Sequence, residues 1–413
     1  MVIKRELFPP YIILLVMYAI FIVFALIIDS PINIILGLKE IILTPDILIT
    51  DYVEIGGIGA TLVNSALTSS ISIAILIFIG IKPNGSTIMA LWLMTAFSFF
   101  GKNILNIWPI MIGVYLFSKY QKEPFLNYIL VALLSTTLAP TVSQLSFTGI
   151  FNPITSHILG NSIGIFIGFI LAPIASHCIK SHNGYNLYNV GFAGGLVATL
   201  LMAIFRGVGI DFGNRLIWNT GSNKIFIIFL LTICIYLIIA GLLFGTNHKF
   251  NLREINKQSG KLISDFYVLF GPSTYINMGI LGITSTAFII LVNGDLNGPT
   301  ISGIFTIMGF GCFGKHLRNV TPLIIGACFG AFLHHSPINS PNIILAVLFS
   351  TGLAPISGRF GWPIGILAGF LHLNMATNIG YLHGGLNLYS NGLAAGFVAM
   401  ILIPLITTFK KEI

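Results

Sequence analysis

The chain has 413 residues, 55% of them hydrophobic and only 8% charged, where a soluble domain carries about 25% charged residues. Apolar runs recur from end to end, each long enough to cross about 30 Å of hydrocarbon as a helix, and the alternating pattern of a membrane barrel is absent. The net charge of +8 comes from basic residues scattered over short loops, which fits positive-inside topology and offers no patch for nucleic acid.

Lys4 and Arg5 precede an apolar run from Tyr11 to Ile28 with no small-residue cleavage site behind it, so this segment reads as a retained first helix. Further spans are predicted near 53–81, 124–145, 161–180 and 188–208, with a broken pair at 86–100 and 104–118 and a polar loop around 146–159. The plan then repeats: 223–245, 275–292, a broken pair at 299–313 and 320–334, and spans at 341–357, 361–380 and 388–408.

The repetition is explicit in the residues. FSFFGKNILNIWP at 97–109 returns as FGCFGKHLRNVTP at 310–322, and YILVALLSTTLAP at 128–140 as IILAVLFSTGLAP at 343–355. HNGYNLYNVGFAGGL at 182–196 returns as HGGLNLYSNGLAAGF at 383–397. More weakly, Tyr52, Gly56, Gly59 and Thr61 match Tyr275, Gly279, Gly282 and Thr284. The repeats are therefore 1–215 and 216–413.

The expected fold is all-α and polytopic: two repeats, each of about five full spans plus a pair of short broken or re-entrant helices. An odd number of crossings or half-crossings per repeat inserts the second copy upside down. Charge agrees. With the N-terminus cytoplasmic, the acid-rich loop holding Asp29, Glu40, Asp46, Asp51 and Glu54 lies outside, and its basic counterpart (Lys249, Arg253, Lys257, Lys261) lies inside. Lys82, Lys119, Lys122, Lys180, Arg359, Lys410 and Lys411 also fall inside, while Arg206 and Arg215 are exceptions. Both termini are expected in the cytoplasm.

Each member of the broken pair spans roughly 22 Å at 1.5 Å per residue, too short to cross. A dipping and returning pair would leave Gly101-Lys102-Asn103 and Gly314-Lys315-His316 deep in the protein, where irregular backbone needs cover and a lysine is expensive. The plainer alternative is a glycine C-cap with a snorkelling lysine. Under inversion, however, that reading sends the two lysines to opposite faces and gives no reason for both copies to carry one. A symmetric pair of cations favours an anion or the electronegative end of a polar solute. Arg318 stands where the first half has Leu105.

Two further motifs bear polar groups within spans. Ser135, Thr136 and Pro140, and likewise Ser350, Thr351 and Pro355, predict kinks or unwound turns that pack or present carbonyls and hydroxyls. His182, Asn186 and Tyr188, matched by His383, Asn387 and Tyr389, lead into a small-residue helix. They either cap it and sit at the interface or turn its N-terminus toward a bound anion.

Several chemistries find no support. Away from Asp51 and Glu54 no span carries a carboxylate, which disfavours a carboxylate-based cation antiporter, though nine histidines leave proton coupling open. Cys178, Cys234, Cys312 and Cys328 sit in apolar runs as small core residues. His334 and His335 lack acidic or thiol neighbours, so no metal is assigned. There is no P-loop, nucleophile elbow or HExxH, and neither catalytic residues nor cofactors are expected.

The GK and LAP pairs, with NLYNVGFAGG and NLYSNGLAAG, resemble a duplicated bacterial multi-pass family known as domain of unknown function number 1576. The resemblance implies a bacterial plasma-membrane setting, brings no substrate, and assigns no residue a role. In outline the plan is similar to urea-transporter-like inverted repeats, though without a urea-transporter motif. The leading expectation is a secondary or facilitative transporter for a small polar or anionic solute at the interface of the repeats. Its site residues would be Lys102, Lys315, Asn103, His316, Asn106 and Asn319, with Ser135, Thr136, Ser350, Thr351, Asn186 and Asn387. A passive channel for a neutral solute such as urea is the second reading. A non-transporting or lipid-acting intramembrane protein is the third. Expected partners are the solute and the lipid bilayer, and a homo-oligomer remains open.

Overall fold

The computed structural model describes residues 9–213, 215–262 and 264–409; Lys4, Arg5, Lys410 and Lys411 of the topology argument lie outside them. In the first half the helices are α1 (Pro9–Ile28), α2 (Pro31–Leu43), α3 (Tyr52–Ile79), α4 (Gly85–Phe97), α5 (Trp108–Tyr120), α6 (Ile129–Ser135), α7 (Ala139–Phe147), α8 (Pro153–Ser181) and α9 (Asn189–Gly207). The second half has α10 (Asn223–Phe244), α11 (His248–Ile255), α12 (Phe266–Phe270), α13 (Thr274–Leu291), α14 (Gly298–Gly309) and α15 (Leu317–Leu333). It closes with α16 (Pro341–Phe349), α17 (Ala354–Phe360), α18 (Trp362–His383) and α19 (Ser390–Phe409).

Among the described residues nine helical segments are long and apolar enough to cross a membrane, and α4, α14 and α15 are apolar but shorter. The chain is a polytopic helical membrane protein in two duplicated parts. Large apolar side chains such as Val23, Ile27, Phe78, Leu200, Leu243 and Leu291 stay exposed, as a lipid-facing surface requires.

Several boundaries depart from the sequence reading, each for a local reason. Residues 31–43, read as part of an outer loop, form α2 because Ser30 caps the Asn33 amide and Pro31 opens the helix. The loop expected at 146–159 shrinks to a turn because Asn152 caps Thr155 and Pro153 starts the 29-residue α8. In the second half α11 and α12 occupy the segment read as a basic inner loop. The span expected at 124–145 is two helices joined by a tight 3₁₀ turn at Thr136–Leu138, and Ser350–Leu353 repeats it between α16 and α17.

The weak Tyr52/Tyr275 match is displaced by ten positions from the true register. Asn64 and Asn277, 213 apart, are the equivalent residues, since each gathers the same two carbonyls. Asn64 Nδ2 donates to the Ser98 and Lys102 oxygens at 2.8 and 2.9 Å. Asn277 Nδ2 donates to those of Gly311 and Lys315 at 2.7 and 2.8 Å. The half-helices α4 and α14 start from matching capping boxes, Asn84 with Thr87 and Asn297 with Thr300.

These two equivalent half-helices lie side by side and run in opposite directions. Cys312, just past the end of α14, donates to the Gly85 carbonyl at the start of α4. Trp92 meets Phe305 midway at 5.3 Å, and Ser302 near the start of α14 donates to Ala96 near the end of α4. The caps cross over as well: Gly298 N donates to Asp51 (3.1 Å) and Gly85 N to Asp265 (3.0 Å).

Close helix approach on the periphery is duplicated too. α5 meets α8 through Gly113 and Gly168, and α15 meets α18 through Gly326 and Gly369; a Cβ on Gly168 or Gly369 would lie 2.0 Å from the carbonyl of Ile110 or Leu323. Gly168→Val and Gly369→Val should each lower thermal stability in detergent by at least the ~1–3 kcal/mol typical of an overpacked core. Unchanged unfolding curves would show that these helices do not touch.

Candidate functional site

The chain reverses at Gly101 and Gly314, whose φ values of 87° and 116° lie in the left-handed region that favours glycine. The turn that follows is wider than three residues in the first half, running from Phe97 to Trp108. Both lysines are wholly buried. Lys102 Nζ donates to the Tyr389 hydroxyl at 2.7 Å and lies 3.7 Å from Met94 Sδ. Lys315 Nζ donates to the Tyr188 hydroxyl at 2.5 Å and to Thr351 Oγ1 at 2.8 Å. Each Nζ thus folds back over the last turn of its own half-helix and is held by the other half's tyrosine.

Neither lysine has a carboxylate partner among the described residues. The two ammonium groups do not share a ligand. Rings separate them: Tyr389 packs on Phe97 at 4.3 Å, Phe97 on Phe349 at 5.9 Å, and Phe349 on Tyr188 at 6.2 Å.

The opposite halves exchange backbone contacts around this belt. Asn186 Nδ2 donates to the Gly392 carbonyl and Asn387 Nδ2 to that of Gly191, each at 3.1 Å. Leu187 N donates to Gly352 O at 2.9 Å and Leu388 N to Thr137 O at 3.0 Å. The carbonyls freed by the 3₁₀ turns are therefore taken by the other half's Asn-Leu-Tyr segment. α9 and α19 meet at their N-terminal ends, where Gly191 faces Gly392.

A cavity of about 150 Å³ lies between these elements, lined by Phe97, Phe310, Phe349, Tyr188, Tyr389, Leu187, Leu388, Gly191, Gly392, Asn189 and Asn391. Its walls are largely apolar. It extends to Ile179 and Leu262 on one side. On the other, Asn391 also lines a separate polar cavity of about 460 Å³ with Arg215, Asn342, Asn378, His383 and Ser390. His372, absent from the matching position in α8, holds Asn391 from behind at 3.1 Å.

The sequence-predicted residues divide into groups. None of them lines the central cavity: Lys102 and Lys315 bond its lining residues Tyr389 and Tyr188, Asn186 and Asn387 bond the carbonyls of its lining residues Gly392 and Gly191, and Thr351 bonds Lys315. Thr136 touches Met94 Sδ, whereas Ser350 bonds its own helix at Val347 and Ser135 Oγ is buried without a partner. Asn103, Asn106, His316 and Asn319 do not line the central cavity. Asn106 and Asn319 clasp their own turns, donating to Gly101 O at 3.0 Å and Gly314 O at 2.9 Å. His316 and Asn319 face a small inner cavity of about 110 Å³ with Lys257, Arg318 and Ser357. Sequence reasoning missed Tyr188 and Tyr389 as the lysines' acceptors, although their place in the repeated motif was visible. It also missed Asp46, buried against Tyr52 and Asn106.

A chain built from two copies of such a unit is a duplicated membrane protein, and the comparisons agree. Residues 30–207 and 246–408 match the family described as protein of unknown function (DUF1576). The chain belongs to that family. No protein of curated function and no solved structure is detectably similar.

Among the described residues Tyr389 is the only oxygen acceptor for Lys102, whereas Lys315 also has Thr351. A hydrogen bond to a charged group is worth about 1.5–3 kcal/mol. Tyr389→Phe should therefore destabilise the purified protein by about that amount and Tyr188→Phe by clearly less. Equal losses would contradict these pairings.

Proposed function

We propose that the protein is a transporter for a small polar or anionic solute, which binds in the cavity between the two halves. The observation that carries this reading is the pair of buried lysines, each bonded to a tyrosine of the opposite half that lines the central cavity, which neither lysine itself lines. Buried ionisable residues in membrane proteins mark solute and ion pathways by default.

The electrostatics support an electronegative solute. A lysine ammonium has only donors, so the Tyr389 oxygen accepts from Lys102 and its own hydrogen finds no acceptor among the described residues. The N-terminal ends of α9 and α19 meet at the same place and add positive potential. The volume, about half the lower bound for a drug-sized pocket, suits a solute of few atoms.

A route suggests itself from the shared residue. The polar cavity reaches Asn391, the central cavity follows, and Ile179 and Leu262 close the far side. The antiparallel α4 and α14 favour repeats inverted across the membrane, so that movement of one half against the other would open each side in turn. We place both termini in the cytoplasm and the protein in a bacterial plasma membrane, with no enzymatic step. The aromatic walls (Phe97, Phe310, Phe349) favour a second reading, a passive channel for a flat neutral solute such as urea.

Proteoliposomes challenged with chloride, nitrate, formate, acetate and urea, followed by stopped-flow light scattering, separate these readings. The transporter reading expects saturable flux of one anion, reduced at least tenfold by Lys102→Met and by Lys315→Met in monodisperse protein. Fast urea flux indifferent to both changes selects the channel. Permeability equal to that of protein-free liposomes for every solute would sink both.

A further inference from the structure

Asp46 lies in the loop between α2 and α3, in the first half only, and is wholly buried. Its Oδ2 accepts from the Tyr52 hydroxyl at 2.8 Å and from Asn106 Nδ2 at 3.2 Å. Its Oδ1 is sealed from solvent and has no partner. Asn106 also bonds Ser143 Oγ at 3.0 Å. The amide nitrogen of neighbouring Asn103 is likewise buried and unpartnered. No cation stands within ion-pair distance of Asp46 among the described residues. The nearest, Arg215 on the linker, spends a guanidinium N–H on the Pro45 carbonyl at 2.8 Å.

The duplication supplies an internal control. In the second half Asn319 clasps Gly314 as Asn106 clasps Gly101, and His316 N meets Asn319 Oδ1 at 3.0 Å as Asn103 N meets Asn106 Oδ1 at 2.9 Å. There the backbone of Gly260 packs against Asn319, and Gly358 replaces Ser143. The turn is complete without a carboxyl. Asp46 is therefore an addition to one half that the scaffold does not require.

An isolated carboxylate out of water costs several kcal/mol, so something neutralises it. The surrounding groups argue against a metal ion: Tyr52 and Asn106 present donors to Oδ2, and Asn103 presents an amide N–H₂. A proton needs only the free Oδ1. Burial pushes the Asp46 carboxyl up to about 7, against the hydrogen bond of Tyr52, the nearby Ser143 hydroxyl, the charge of Arg215 and the hydrogen bond of Asn106. The titratable or charged groups facing it are Tyr52 from α3 and Arg215 from the linker; α7 and the 98–107 turn offer only Ser143 and Asn106.

We propose that Asp46 is a proton-binding site: one proton from the outer aqueous side binds the carboxylate and leaves again, with no other bond made or broken. Because Asn106 joins this carboxyl to the Gly101 carbonyl that precedes Lys102, proton occupancy is coupled to the geometry of the first-half turn. The binding site stands by itself; its coupling to solute movement rests on the transporter reading.

Infrared difference spectra of the purified protein between pH 5 and pH 9 test the site. Burial also pushes the Asp51 carboxyl up to about 7, so a carboxylic acid band should vanish as pH rises through about 7, lose one component in Asp46→Asn, and keep both in Tyr52→Phe with the Asp46 midpoint raised by the lost donor. Difference spectra identical in wild type and Asp46→Asn would overturn the proposal. So would the absence of any carboxylic acid band at pH 5 in wild-type protein, a result that needs no variant to fold. In proteoliposomes carrying a permeant solute, an imposed pH gradient should change wild-type flux and leave Asp46→Asn flux unaltered. Continued response in Asp46→Asn would overturn the coupling. An intact band in a protein that moves no solute would refute the transporter reading alone.

Discussion

A chain that reverses direction inside a bilayer strips its backbone of helical hydrogen bonds where no water replaces them. Everything at the centre of this protein follows from how that problem is solved. Asn64 and Asn277 reach across from long helices and each satisfy two carbonyls of the reversal. Asn106 and Asn319 satisfy a third from within the turn. With the backbone secured by side-chain amides, Lys102 and Lys315 are left free to turn inward, and a cavity can exist beside an irregular segment without unpaired groups collapsing it.

The halves are bound by the same currency. The 3₁₀ turns before Ala139-Pro140 and Ala354-Pro355 release carbonyls, and the opposite half's Leu388 and Leu187 amides take them. Asn387 and Asn186 grip the glycine carbonyls of α9 and α19. These contacts surround the aromatic belt between the lysines. Exchange of directional bonds in an otherwise apolar interior specifies register, since any slip would leave donors and acceptors buried and unmatched.

Much of this was legible from residues alone. The repeated GK reversal, the shortness of the flanking helices and the copied Ser-Thr-Leu-Ala-Pro and Asn-Leu-Tyr segments all mark elements that meet at the core. What failed to show was partnership. Composition reveals that Lys102 is costly but not that Tyr389, 287 positions away, accepts from it. The Asn64/Asn277 equivalence was hidden because Tyr and Gly coincidences ten positions out of register looked better than a single asparagine. Asp46 read as one acid among several in an outer loop, because burial of a loop residue depends on what packs around it, here Tyr52 of α3 and Asn106 of the first-half turn.

The two reversals keep the same clasp and differ in what surrounds it. Asn103, Leu105, Ser143 and Gln144 in the first half stand where the second has His316, Arg318, Gly358 and Arg359. One turn is sealed around a carboxyl; the other opens on a cavity bordered by Arg318 and Lys257. On the proposed transporter reading, unequal mouths would alter how readily a solute enters from each side, yet they would move nothing uphill, because binding energy at either end cancels over a complete cycle. Work requires a second species whose binding changes with the state of the pathway. Divergence that spares the shared scaffold and falls on charged groups at the two turns would suit the proposed coupling, with Asp46 as the carboxyl at the first turn.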